Sequence, residues 1–131
     1  MKREILFRGF NEKNNKWLYG YYFVNRGQHL VVADEIQTNP LVNWTDFVVD
    51  PNTIGQYTGL TDKNGKKIFE GDIVTGRNCR FVVKYDERKA EFVAVNSTLP
   101  KGFGLSMSQT WINGTNKIIC GNIHDNPELM K

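Results

Sequence analysis

Apolar and polar positions alternate with a period of two along most of the chain, and β-branched and aromatic residues fill the alternating runs. Side chains that point by turns to opposite faces belong to strands. Glu4–Gly9 and Lys16–Val24 read as a first pair of strands around the polar turn Asn11–Asn15, and His29–Ala33 as a third strand. Residues 38–44 read as a loop around Asn39-Pro40. Asp46–Val49 is a short apolar stretch closed by Asp50-Pro51, a turn pair because proline pushes its predecessor out of the helical region. Thr53–Tyr57, Lys67–Glu70 and Asp72–Thr75 read as short extended segments, with Asn64-Gly65 offering the two positive φ values of a tight hairpin turn. Cys79–Tyr85 and Lys89–Val95 form the clearest hairpin, turned by Asp86-Glu87-Arg88, and Lys117–Ile123 closes the sheet. Ser97–Ser108 has no period and reads as a long loop, and Asn113-Gly114 as a second turn signal. Helix is confined to one terminal turn, where Asn126 caps Pro127. The expected fold is therefore all-β, an antiparallel small barrel or strongly bent sheet. It forms one domain over residues 1–131, or two intimately packed β lobes.

The second strand is apolar on both faces, with Trp17, Tyr19, Tyr21 and Phe23 on one and Leu18, Gly20, Tyr22 and Val24 on the other. Burial within its own chain is the simpler account. One small domain supplies cover for only one face, however, so a homo-oligomer in contact through Trp17, Tyr19, Tyr22 and Val24 is the expectation.

Composition adds bounds. With 131 residues, 40% of them hydrophobic and 24% charged, the chain is long enough to bury a core without staples. Charges interrupt the first apolar residues before a secretory segment can form, and no run approaches the roughly 20 apolar residues of a membrane helix. A cytoplasmic location without membrane contact is expected. Cys79 and Cys120 then read as small buried thiols rather than a disulfide. With no CxxC or HxxxH spacing, a zinc site made of both cysteines, His29 and His124 is not expected.

The net charge of +3 comes from 17 basic and 14 acidic side chains. Residues 62–89 hold eight of the basic ones (Lys63, Lys66, Lys67, Arg77, Arg80, Lys84, Arg88, Lys89) against five acidic, leaving nine against nine elsewhere. Lys63, Lys66, Lys67, Arg80 and Lys84 are thus the candidate nucleic-acid contacts, although a mixed-charge solvent face explains them as simply. Catalytic chemistry finds less support. Cys120 and His124 are four apart, about 13 Å along a strand and too far for a hydrogen bond. Glu70, Asp72 and Asp62 are turn carboxylates without a pocket, and no helix follows Gly65 or Gly71 to complete a phosphate loop. Neither enzyme activity, nor a metal, nor a cofactor is expected.

The start Arg3–Arg8, the block Ile54–Val74 and the end Gly121–Leu129 together resemble the YopX family. The resemblance implies a β-rich protein encoded by a phage or prophage, with no biochemical role and no catalytic residues to carry over. Much of the block is shape: Gly55, Gly59, Gly65 and Gly71 recur where the backbone must bend, and Asp62, Asn64 and Asp72 are suited to satisfy turn amides. Gly71-Asp72-Ile73-Val74 also has the look of a strand entering an SH3-like element.

Overall fold

The computed structural model describes residues 1–33, 41 and 43–130. Ten strands form two antiparallel five-stranded sheets: β1 (Phe7–Asn11), β2 (Lys16–Asn25), β3 (Gln28–Val32), β4 (Gly55–Thr61), β5 (Lys67–Phe69), β6 (Asp72–Gly76), β7 (Cys79–Asp86), β8 (Glu91–Val95), β9 (Leu105–Ser106) and β10 (Ile118–Asn122). Their orders are β3-β2-β1-β4-β5 and β10-β6-β7-β8-β9. The chain divides into two compact units, residues 1–57 and 58–131, and β4 leads from one into the other.

In the first unit β1 and β2 pair from Phe7 opposite Gly20 to Asn11 opposite Lys16. β2 then pairs with β3 from Tyr21 opposite Val32 to Asn25 opposite Gln28. The segment after the second hairpin ties both flanks of this ribbon together. Val49 N–H donates to the His29 carbonyl and Asp50 N–H to the Phe10 carbonyl, both at 2.9 Å. Asn11 is wholly buried, and its side chain is bonded throughout: its amide nitrogen donates to the Val48 carbonyl at 2.8 Å, and its amide oxygen accepts from Asn14 N–H at 2.7 Å. Such pairing is what makes a buried amide tolerable. The ribbon curls so tightly that a Cβ at Gly20 would lie 2.1 Å from the Val32 carbonyl oxygen, so only glycine fits there.

The second unit carries the aliphatic core. Ile68, Val74, Phe81, Val83, Ala94 and Ile112 form one buried cluster, with Leu60, Leu99, Met107, Trp111 and Ile119 packed around it. The β7–β8 hairpin runs in register from Val82 opposite Val95 to Asp86 opposite Glu91, as the alternation predicts.

Several expectations are corrected. The two sheets are antiparallel, and among the described residues no closed barrel forms. Helix is not confined to the end: α1 spans Gln109–Gly114, capped by the Ser108 hydroxyl, which accepts from Trp111 N–H. Asn113-Gly114 therefore ends a helix rather than turning a hairpin, because Ile112 needs a helical approach to reach the core. The loop expected over 97–108 includes β9, paired with β8. The first strand begins at Phe7, and Trp44–Phe47 and Pro51–Thr53 are 3-10 turns. Most of the loop expected at 38–44 lies outside the described residues. Gly65 alone has positive φ in the Asn64-Gly65 turn, since the Asp62 carboxylate already organises the loop and a mirror-image turn is not needed. Both cysteines are exposed: Cys79 opens a strand beside a hairpin turn, and Cys120 sits at a register shift of β10.

Candidate functional site

Residues directly opposite one another in an antiparallel pair share a face. In the first unit, Trp17, Tyr19, Tyr21 and Phe23 therefore lie on the face of Phe10, Arg8, Val32 and Leu30, while Leu18, Gly20, Tyr22 and Val24 lie on that of Gly9, Phe7, Val31 and His29. The second face is covered around Gly20 and Tyr22, while Val24 at its end is exposed. Tyr22 is hydrogen-bonded to His29 (Oη to Nδ1, 2.7 Å), stacks on its ring, and meets Phe7 at 5.6 Å between ring centres. On the first face Arg8, Val32 and Leu30 are buried, but the β2 side chains beside them are open. Tyr19, Tyr21 and Phe23 are 48%, 49% and 38% exposed, and Trp44, at 54%, meets Phe23 edge to face. Trp17 is half-buried instead, under the Arg8 guanidinium and against Phe10. The four expected interface residues are thus not brought together: Trp17 and Tyr19 share one face, Tyr22 and Val24 the other. Tyr21 and Phe23 belong to the open row although the sequence reading left them out. Their signal was Gly20, whose close backbone contact marks the opposite face as the closed one.

The five basic candidates are likewise divided. Lys63, Lys66 and Lys67 are exposed around the β4–β5 turn, whereas Arg80 and Lys84 stand on β7, four residues apart. Arg80 Nη1 donates to the Leu129 carbonyl at 3.2 Å and lines a cleft of about 580 Å³ together with Arg77. Arg77 was missed as a site residue; its signal is the Arg77-Asn78 pair standing between two alternating runs.

The turn residues of the central block are placed mainly by their hydrogen bonds. Gly59, Gly65 and Gly71 have positive φ, and Gly55 is buried at the start of β4. Asp62, 3% exposed, accepts through Oδ1 from Asn64 and Lys66 N–H and through Oδ2 from Ile119 N–H, at 2.9–3.0 Å. Asp72, also buried, accepts from Phe69 N–H at 2.7 Å, which leads Ile73 and Val74 into the core. These carboxylates are occupied by backbone amides. The Cys120 thiol donates to the Ile73 carbonyl at 3.5 Å, and desolvation holds its pKa above the ordinary thiol value, against the smaller opposing influence of Arg80. Thiolate is the nucleophilic form, so that shift works against reactivity. His124 stands in the turn after β10, its N–H donating to the Asn122 side chain. Among the described residues, no three His, Cys, Asp or Glu side chains are grouped to hold a metal ion, and no helix is long and apolar enough to cross a membrane.

The fold is similar to that of protein EF1440 from Enterococcus faecalis, whose crystal structure superposes with a TM-score of 0.58 at 20% identity, covering 99% of this chain and 100% of that one. No curated protein sequence matches the chain. The family model described as YopX protein matches residues 6–131, nearly the whole length, with the central block, the C-terminal motif and the last three residues of the N-terminal one, and the chain belongs to the YopX family.

Proposed function

We propose that this is a non-enzymatic interaction protein, an accessory factor of phage or prophage origin acting in the bacterial cytoplasm, which associates with a second copy of itself through the open face of β2. The observation that carries this reading is the row Tyr19, Tyr21 and Phe23, half-exposed on a strand that has neighbours on both sides, with Trp44 beside it. Each aromatic side chain left in water forgoes roughly 2 kcal/mol of burial. Charge favours a like partner as well. Residues 1–57 carry six basic and six acidic side chains, so this unit is neutral and two copies do not repel, whereas residues 58–131 carry eleven against eight. A two-fold contact would set each ring row against its own copy. The divided placement of the basic candidates is why self-association is preferred to nucleic-acid binding by the set of five.

Light scattering across a concentration series tests the reading. A mass of twice 15.1 kDa at tens of micromolar protein is expected, the range of transient contacts. A monomer throughout that range ends the proposal.

A further inference from the structure

The β6–β7 hairpin reverses through Arg77 and Asn78, both at positive φ, 53° and 65°. Two successive positive values define the two-residue turn that Asn-Gly closes at least cost. Here the first position holds an arginine, a long side chain in a region where such residues are uncommon. Arg26, at φ 51°, opens the β2–β3 turn in the same way, so the side-chain setting and not the turn distinguishes Arg77.

The arginine side chain has a setting that rewards it. Arg77 Nη2 donates to the Gly114 carbonyl at 3.4 Å and Arg80 Nη1 to the Leu129 carbonyl at 3.2 Å, which orients both guanidinium groups. A guanidinium has five N–H donors, so each retains most of its capacity. Both line the 580 Å³ cleft, whose other walls include Asn96, Ser97 and Thr98 and, among the described residues, no carboxylate. Asn96 fixes that wall: its amide nitrogen donates to the Arg80 carbonyl, and its oxygen accepts from the backbone and hydroxyl of Thr98. A third cation, Lys117, contacts Gly76 but does not itself line the cleft. Lys117 is 3% exposed, its ammonium donates to the Gly76 carbonyl at 3.4 Å, and it rests over the Phe81 and Trp111 rings. Burial pushes its pKa down.

We propose that this cleft binds the terminal phosphate of a phosphate monoester, whether a free nucleotide or the phosphorylated end of a nucleic-acid strand. Paired forked donors match a dianion with several acceptor oxygens, and the Ser97 hydroxyl adds a neutral donor. The site lies wholly in the second unit and is independent of association through the first.

Titration of the full chain, followed by amide NMR at constant ionic strength, tests it with inorganic phosphate, a nucleoside 5′-monophosphate, and one oligonucleotide with and without a 5′-phosphate. Saturable shifts at the Arg77, Asn78, Arg80 and Thr98 amides are expected with phosphate, and not with chloride. The ester source is the ligand bound more tightly than phosphate itself: the nucleotide for a free metabolite, the phosphorylated oligonucleotide for a strand end. Arg80→Gln should weaken binding about tenfold or more, the value of one charge-assisted pair. Arg77→Asn should weaken it similarly while keeping or raising the thermal midpoint, because asparagine accepts positive φ more readily. Absence of saturable shifts at these amides overturns the proposal. So does unchanged affinity in both variants, or an Arg77→Asn chain that melts earlier but binds as before.

Discussion

Residues 1–57 and residues 58–131 are both β, yet they place their apolar side chains in opposite ways. The first unit buries Leu30, Val31, Val32 and Val49 together with the polar Arg8 and Asn11, and leaves Tyr19, Tyr21, Phe23 and Trp44 at its surface. The second collects aliphatic side chains into one cluster that includes Ile68, Val74, Val83 and Ile112, none of them measurably exposed. It also carries the whole net charge. Apolar content therefore does different work in the two units. In the second it accounts for stability, and in the first much of it faces outward, where only a partner would remove it from water.

The sharpest way to break the contrast is at the aliphatic cluster. Ile112→Ala removes the side chain by which α1 enters the core and should cost about 2–5 kcal/mol in urea unfolding, the range for buried truncations. A loss below about 1 kcal/mol would mean the cluster does not hold the second unit together. Asp62→Ala comes next, at about 1–3 kcal/mol, because it leaves part-buried amides of a turn and of β10 without their acceptor. Asp62→Asn, which retains an acceptor oxygen, should recover part of that loss. In the first unit, Tyr21→Lys should change stability by no more than about 0.5 kcal/mol, as surface substitutions do, while abolishing association. Marked destabilisation would place Tyr21 in a core and erase the contrast.

The smallest effect concerns Asp46 in the first unit. The hydrogen bond from Lys13, 2.7 Å away, and a second from Asn14 hold its carboxyl below the ordinary carboxylate value. A depressed folded-state pKa stabilises above the unfolded value and ceases to do so as pH falls through the lower one. Lys13→Ala should raise the Asp46 titration midpoint read by NMR; an unmoved midpoint would assign the shift elsewhere.

How much of this was legible follows from what a period can encode. The β7–β8 hairpin was readable because Cys79–Tyr85 alternates and Asp86-Glu87-Arg88 interrupts it. In β2 the same rule named both faces correctly but could not say which was open, since both are apolar and only the β3 backbone over Gly20 decides it. Helix α1 escaped because six residues are under two turns, too few to show a 3.6-residue period beside Gly- and Asn-rich flanks. The Arg77–Arg80 cleft draws on three separate stretches of chain, and no local pattern registers such a meeting.

The Asp62 carboxylate has a consequence for the order in which the chain takes shape. Two of its acceptor contacts close within four residues, but the third, from Ile119 N–H, spans 57 positions. During synthesis the β4–β5 turn is complete long before β10 emerges, and until then half of that carboxylate waits in water. Contacts of such separation form slowly. The first unit's own pairings, β1–β2 and β2–β3, lie before Tyr57 and can form while the second unit is still being made. Pulse-labelling hydrogen exchange would read this as early protection at Tyr22 and Val31, with the Ile119 amide among the last to close.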